Sequence, residues 1–514
     1  HGGGYIVTWA LGHLVGLAQP HEIRPEWRRW RRDLLPMIPD EWPLVVCEET
    51  KDQFEVVRKI LNSPRVSRIV CATDAGREGE LIFRYIYEAA GCRKPFQRLW
   101  ISSLTPEAIR KGFENLRDGR EYDNLADAAR GRSRADWLVG MNLSRAYTLA
   151  FKDELSVGRV QTPTLAMLVE RELAIRAFVP EDYLEVVATF SPRPGESYKG
   201  VWFTETKGER QTRLPADGEQ AAAIIERARS GEARIESIQA ETQRMPPPLL
   251  YDLTELQRHA NRLFGFSAEK TLQLAQSLYE RYKLLSYPRT DSRHLSSDVA
   301  ATLPAVVRAI SAPYAQLLAP GTGERPLSRR FVDDAKVTDH HAIIPTTTPL
   351  EKASPPPDER KLYDLVCRRL LAAWMPDHIS STTTVITAIS NPGALDRYLT
   401  SGTVVQQEGW KALDLKVKKD AAEDPLPSGL ATGQPQTVAD VESVRKRTRP
   451  PKRFTDATLL TAMETAGKTL DEKELSEAMK ECGLGTPATR AAIIEGLLKR
   501  GYVVRLGKTL AATD

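Results

Sequence analysis

Thiols are scarce in this sequence, with five cysteines in 514 residues. Cys47, Cys71, Cys92, Cys367 and Cys482 are scattered, and no pair has C-x-x-C spacing. That supports neither a zinc ribbon nor a disulfide framework, and fits reduced thiols in a cytosolic protein. No run of about 18 apolar residues occurs, so no membrane-spanning helix is expected. A strong charge of one sign is lacking too: the net charge is +4. Any nucleic-acid surface must therefore arise from local clustering. There is no internal repeat. The start, His1-Gly2-Gly3-Gly4, has neither an initiator Met nor a signal-peptide pattern. The expectation is a chain cut from within a longer gene product, with an end at Asp514 that also lacks a clear terminator.

What is present is ordinary soluble composition, 41% hydrophobic and 27% charged. The length predicts two to four domains. Tyr5–Trp9 reads as a short strand, followed by the loop Gly12-His13-Leu14. His13 is open to a structural or a ligand-contacting role. Trp27–Arg32 interleaves aromatics and arginines, which suits either nucleic-acid stacking or a solvated charge run. A helix over about 51–62 and a strand over Arg68–Ala72 lead to Thr73-Asp74-Ala75-Gly76-Arg77-Glu78-Gly79-Glu80. A helix from about Leu81 to Ala90 and a strand over Gln97–Ile101 complete a doubly wound unit. Its acidic loop lies at the carboxyl end of the sheet, where ligands bind. Asp74, Glu78 and Glu80 suit a hard cation such as Mg²⁺, or simply an acidic helix start.

Residues 106–179 read as mostly helical, broken by Ser156-Val157-Gly158-Arg159-Val160-Gln161-Thr162-Pro163. This suits a phosphate backbone or a plain helix start, with a helix from Thr164. Period-two strands follow at Tyr183–Phe190, Gly200–Phe203 and Ala233–Ala240, and return at Ser381–Ser390 and Leu399–Gln406. Between them, about 251–372 is helical, with amphipathic spacing over Leu253–Phe264 and Ala268–Leu284. This is a β domain with a helical insertion. Asp414–Thr437 reads as a linker, and Arg445–Arg453 as the densest basic cluster. Helices over Asp456–Ala466, Lys473–Glu481 and Ala491–Arg500, with a strand at Gly501–Val504, suggest a winged-helix arrangement.

Inside the insertion lies Ser286-Tyr287-Pro288-Arg289-Thr290-Asp291-Ser292. Pro288 disfavours the helical region for Tyr287, which places the phenol at a bend. Arg289 offers a fork to a phosphate. A tyrosine beside such an arginine suits transesterification on a phosphodiester, although a packed surface turn has the same residues. Further on, Thr338-Asp339-His340-His341-Ala342 carries adjacent histidines. Neighbours point apart, which favours a phosphate contact or general acid over a shared metal.

Together with Arg134-Ala135-Asp136-Trp137 and Gly485-Thr486-Pro487-Ala488-Thr489-Arg490, these motifs resemble the type IA DNA topoisomerases, nearest the bacterial topoisomerase III branch. Seven motifs in family order are a specific signal. The resemblance implies a multidomain α+β fold in a toroidal arrangement. Its parts would be a toprim α/β domain (1–120, first strand missing), a helical DNA-binding domain (121–180 and 411–514, winged-helix-like) and a β arch (181–250 and 373–410). The tyrosine would sit in a helical domain at 251–372. It implies attack by Tyr287 on single-stranded or underwound DNA to give a 5′-phosphotyrosine, strand passage and resealing without ATP. Arg289 and His340 would assist as catalytic residues, and Asp74 and Glu78 would hold Mg²⁺. DNA contacts would fall to His13, Arg77, Arg134, Asp136, Ser156, Val157, Gly158, Arg159, Val160, Gln161, Asp291 and Arg490. A monomer acting on nucleoid or plasmid DNA in the bacterial cytoplasm is expected.

Two departures accompany the resemblance. The family's first strand, with a catalytic Glu and a nearby Lys, should precede residue 1. Gly76 stands where many relatives carry a second Asp. The alternatives are a catalytically impaired single-stranded-DNA-binding fragment, and a primase-like or nuclease-like toprim protein.

Overall fold

The computed structural model describes residues 4–206, 208–415, 426–469 and 483–514. The expected strand at Tyr5–Trp9 is not there. Tyr5, Val7 and Trp9 are exposed and find no strand partner among the described residues. The first strand is instead β1 (Val15–Leu17), antiparallel to β2 (Leu44–Val46).

The helix Lys51–Asn62 forms as its spacing predicts and buries Phe54, Val57 and Leu61. β3 (Ile69–Cys71) runs parallel to β4 (Phe96–Arg98), which pairs antiparallel with β5 (Arg117–Asp118). The parallel pair is the kernel of the doubly wound unit, and the acidic turn follows β3. The next helix, Arg77–Ala89, begins before the expected Leu81 because Gly76 serves as its N-cap. Arg77, Glu78 and Glu80 therefore sit on a helical first turn, where carboxylates meet the positive end of the dipole.

Beyond the long helix Asp123–Phe151 and the helix Gln161–Arg176, the chain builds one large antiparallel sheet. Its principal strands are β6 (Asp182–Arg193), β7 (Glu196–Thr206), β10 (Glu232–Met245), β11 (His378–Asn391), β12 (Ala394–Gln407) and β13 (Pro435–Arg447). The short strands β8 (Glu209–Gln211) and β9 (Leu214–Pro215) attach to β7 and β6. The pairings run β7-β12-β11-β10-β13-β6, and β6 pairs with β7 again, so the ladder closes on itself. Leu184, Val186, Ala188 and Phe190 face inward at period two, as a half-buried strand requires. They pack with Ile235, Val385, Ile389 and Tyr398, and with Ala221, Ile224 and Ala228 of the helix Glu219–Ser230.

β13 corrects the expected boundary at 411 and the linker reading of 414–437. The sheet needs this strand, so the arch continues to Arg447. The 416–425 part of that linker lies outside the described residues. The basic end of β13 matches acids on β6: Lys446 Nζ lies 2.5 Å from Glu185, and Arg445 and Arg447 lie 3.7 and 3.4 Å from Asp182.

The insertion between β10 and β11 is helical. The helices Leu253–Phe264, Ala268–Glu280 and Pro357–Ala372 share a core containing Leu256, Leu278, Leu284 and Val366. Asp252 caps the first through the Glu255 N–H at 2.6 Å. The closing segment packs the helices Asp456–Glu464 and Pro487–Lys499 beside a three-stranded sheet of β14 (Phe454–Thr455), β15 (Val503–Leu506) and β16 (Thr509–Ala512). This is a helix-and-wing arrangement. The expected helix at 473–481 lies outside the described residues. Among the described residues no helix is long and apolar enough to cross a membrane.

Phe190 is fully buried at the centre of the sheet core. Phe190→Ala is expected to cost about 3–5 kcal/mol, read as a lowered urea midpoint for the sheet. An unchanged midpoint would contradict this packing.

Candidate active site

The tyrosine turn is stitched to the histidine segment by its hydroxyl-bearing residues. Ser286 N–H donates to Ile344 O at 2.9 Å, and Ile344 N–H returns to Ser286 Oγ at 2.9 Å. Thr290 Oγ1 donates to His340 O at 2.9 Å, and Ser292 Oγ to Lys336 O at 2.9 Å. Thr338 donates to the Asp291 carboxylate. Asp291 therefore tethers the turn, a role its expected DNA contact did not include.

The result is a tight aromatic group. The rings of Tyr287 and His340 are 4.2 Å apart, and Tyr279 meets Tyr287 edge-on at 5.4 Å. Tyr279 was not singled out from the sequence; its place on the helix before the turn, facing Tyr287, is visible only in three dimensions. His341 turns away, with Nδ1 at 2.8 Å from Ala342 O, as adjacent histidines should. Burial pushes its imidazole down. Arg289 is exposed and has no hydrogen-bond or ion-pair partner among the described residues. Burial pushes the Tyr287 phenol up and the Asp74 carboxylate adds to this, while the Arg289 cation pulls it down.

The acidic turn reaches this group from a different part of the fold. His340 Nε2 lies 3.4 Å from Asp74 Oδ1. The contact is in ion-pair range but lacks hydrogen-bond alignment, so the buried Nε2 has no hydrogen-bond partner. The His340 contact holds the Asp74 carboxyl below the usual range, although partial burial opposes it. Glu78 Oε1 lies 2.5 Å from His13 Nε2, and this contact likewise lowers the Glu78 carboxyl. Glu80 does not join them. It is fully buried, with Oε2 at 3.0 Å from Arg98 and Oε1 at 2.8 Å from Arg84. The reading of Glu80 as a cation ligand is corrected accordingly.

Arg98 holds the turn from below. Its guanidinium donates to Thr73 O at 2.7 Å and Asp74 O at 2.5 Å. Gly79 is required by close approach, since a Cβ there would stand 2.2 Å from Asp74 O. Arg98 is thus a positioning residue that sequence reasoning missed, as a lone Arg in a strand reads as surface.

A second turn lies along the long helix. Ser144 Oγ accepts from Val157 N–H at 2.9 Å, Gln161 Nε2 donates to Ser156 Oγ at 2.8 Å, and Gly158 N–H donates to Thr162 Oγ1 at 3.1 Å. Arg159 forks onto Asp136 at 2.5 and 3.1 Å. The helix begins at Gln161 with Val160 as N-cap, three residues before the expected Thr164.

A family model for DNA topoisomerase matches residues 120–514, and one for the Toprim domain matches residues 1–104. DNA topoisomerase 3 of Bacillus subtilis is 43% identical over 99% of this chain and 70% of its own length. The Shouchella clausii protein of the same name is 42% identical over 99% of this chain and 69% of its own. This chain belongs to the type IA DNA topoisomerase family.

The fold agrees: topoisomerase I of Thermotoga maritima superposes with a TM-score of 0.69, at 24% identity, covering 100% of this chain and 78% of that one. The topoisomerase match across 120–514 excludes the primase-like and nuclease-like alternatives. Near-complete coverage by topoisomerase 3 relatives favours the strand-cleaving reading over an impaired binding fragment.

In this topoisomerase the expected DNA-contacting residues do not form one set. His13 and Arg77 flank the acidic turn, and Arg77 and Arg159 both lie within electrostatic reach of Arg132. Burial, then the repulsion of Arg159 and Arg77, pushes the Arg132 guanidinium down. That clustering marks Arg132 as a phosphate-binding candidate alongside the residues named from the sequence. Arg134 turns toward Trp42, 5.4 Å from its ring centroid. Arg490 is 3% exposed, donating to Leu484 O and Thr254 Oγ1. Its expected DNA contact is corrected: it braces the closing helices against the tyrosine-bearing body.

Arg98→Met leaves the buried Glu80 carboxylate with Arg84 alone and removes the donors to Thr73 O and Asp74 O. It is expected to cost about 3–5 kcal/mol, read as a lower denaturation midpoint; an unaltered midpoint would contradict the role. Arg289→Gln removes the cation that lowers the Tyr287 phenol. The pH–rate profile for oligonucleotide cleavage should then move to higher pH, and a profile that stays in place would contradict it.

Proposed function

We propose that this topoisomerase cleaves single-stranded or underwound DNA with Tyr287, relaxing negative supercoils or decatenating without ATP. The observation that carries the reading is the meeting of Tyr287 and His340 with Asp74 across two separately folded bodies. The phenol oxygen bonds to phosphorus, and the bond to the 3′ oxygen breaks. Overall, the phenol proton passes to the departing 3′ hydroxyl. In reversal that hydroxyl attacks the phosphotyrosine and the strand is resealed. The bond count is conserved, so no nucleotide is consumed.

Each residue has a distinct part. Arg289, unpaired and beside the phenol, suits stabilisation of charge on the scissile phosphate. The unsatisfied Nε2 of His340 suits a phosphate oxygen. Arg77, Arg132 and Arg159 suit the backbone leading to the cleavage point. Asp74 and Glu78 offer hard oxygens, and two carboxylates suffice for Mg²⁺, which keeps water and phosphate as its other ligands. Both now face histidines, so the donors fit although cation binding exchanges partners. When bound, Mg²⁺ supplies positive charge that orients phosphate oxygens for resealing. The bodies carrying Asp74 and Tyr287 must part for a strand to pass. A monomer acting on nucleoid or plasmid DNA in the bacterial cytoplasm fits this reading.

Relaxation of negatively supercoiled plasmid with Mg²⁺ and no ATP is expected, and Tyr287→Phe should abolish it. Relaxation persisting in that variant would overturn the nucleophile assignment.

A further inference from the structure

The α/β body and the tyrosine-bearing body meet a second time, away from Tyr287. In the segment after β4, Ser103 Oγ and Thr105 Oγ1 both donate to one oxygen of Asp298, at 2.7 and 2.8 Å. No other hydrogen bond crosses between residues 4–120 and 251–372 among the described residues. Each half is fixed on its own body before the two meet. Thr105 is the N-cap of the helix Pro106–Glu114, its Oγ1 accepting from Ala108 N–H at 3.2 Å, and Ser103 is buried beside it. Asp298 lies in the short helix Ser297–Ala300. Asp334 holds the Ser297 N–H at 2.9 Å, and Val299 is anchored in the apolar core of the tyrosine-bearing body. Burial would raise the Asp298 carboxyl, but the hydroxyls around it, those of Ser103 and Thr105 among them, hold it below the usual carboxylate range. The acceptor is therefore ionised, which strengthens both bonds, and it faces the positive end of the capped helix.

This seam differs from the contact of His340 with Asp74 in one respect. His340 and Asp74 are suited to a phosphate and a cation, so substrate exchanges their contact for others. Ser103, Thr105 and Asp298 lie outside the chemistry and keep theirs. An intact strand itself bridges the bodies, with its scissile phosphate at Tyr287 and its backbone beside Arg77. After cleavage the 5′ phosphate is bonded to Tyr287, and no covalent bond of the DNA joins it to the strand that ends in the 3′ hydroxyl. Closure of the cleaved complex then depends on contacts between the bodies.

We propose that Asp298 is a positioning residue for resealing: by clasping Ser103 and Thr105 it reseats the α/β body on the tyrosine-bearing body, which returns the 3′ hydroxyl to the phosphotyrosine. This rests on the reading of Tyr287 as the nucleophile. Hydrogen bonds to a charged acceptor are strong enough to favour the closed arrangement and exchange for water when a strand passes. The clasp forms no bond to DNA, so it acts on resealing and leaves attack on an intact, bridging strand alone.

The test follows covalent complex formation by the whole protein on a labelled single-stranded oligonucleotide with long arms on both sides of the cleavage point. The equilibrium fraction of covalent complex and the rate at which it is approached together give the cleavage and resealing rates. Asp298→Ala is expected to slow resealing roughly tenfold, with cleavage unchanged, so that covalent complex accumulates. Thr105→Asp still caps its helix but sets a second carboxylate against Asp298, and should slow resealing likewise. Adding Asp298→Asn to Thr105→Asp supplies a donor opposite the new acceptor and should restore most of the resealing rate. Covalent complex in the unaltered protein, with resealing unchanged in Asp298→Ala and Thr105→Asp, would overturn this proposal and leave the nucleophile reading intact. Equal slowing of cleavage and resealing, or failure of the paired variant to recover, would also overturn it by assigning these residues to folding alone. No covalent complex in the unaltered protein would overturn the nucleophile reading and this proposal with it.

Discussion

The contact between His340 and Asp74 is the constraint on which the rest depends. It joins residues far apart in sequence, on bodies built from different secondary structure. Neither body gains much from it as packing. Its effect is to bring a phenol, an imidazole and a carboxylate to one place. Much of the surrounding architecture fixes the two sides of that contact. Arg98 and Glu80 hold the acidic turn from within the α/β body. Ser286, Thr290 and Ser292 hold the tyrosine turn against the histidine segment. Away from the chemistry, Ser103 and Thr105 donate to Asp298 at 2.7 and 2.8 Å, a polar seam between the same bodies.

That division accounts for the nature of the contacts between the bodies. A broad apolar interface would be costly to open each time a strand passes. Short hydrogen bonds and ion pairs exchange for water at modest net cost. The apolar clusters instead lie within each unit, as with the one surrounding Leu256 and Leu278, or the one inside the closed sheet. Arg490 and Arg453 differ: the first is buried on Thr254, and the second forks onto Glu172 at 2.7 and 2.9 Å. They bind the closing segment to its neighbours, in keeping with a part that stays assembled.

Much of this was legible in the sequence where local rules decide the outcome. The helices Lys51–Asn62 and Leu253–Phe264 have strong apolar periodicity, and the alternation at 183–190 marks β6. The tyrosine turn was legible through Pro288, and the acidic turn through its carboxylates after an apolar strand. What escaped depends on partners distant in the chain. β13 carries few apolar residues, and its basic end reads as a solvated run until Asp182 and Glu185 appear opposite. Arg490 reads as a surface cation until Thr254 and the Leu484 carbonyl enclose it. Tyr5–Trp9 fails for the opposite reason, having strand-like composition without a strand to pair with among the described residues.

The central claim is that Tyr287 is the atom source for the covalent link to DNA. The direct measurement is mass spectrometry of the trypsin-digested covalent complex, formed on a single-stranded oligonucleotide and trapped by denaturation. Cleavage after Lys283 and Arg289 isolates the peptide Leu284–Arg289, whose only phenol is Tyr287. A nucleotide joined through its 5′ phosphate to that peptide is the result expected. The same adduct on any other peptide, with Leu284–Arg289 unmodified, would contradict the account.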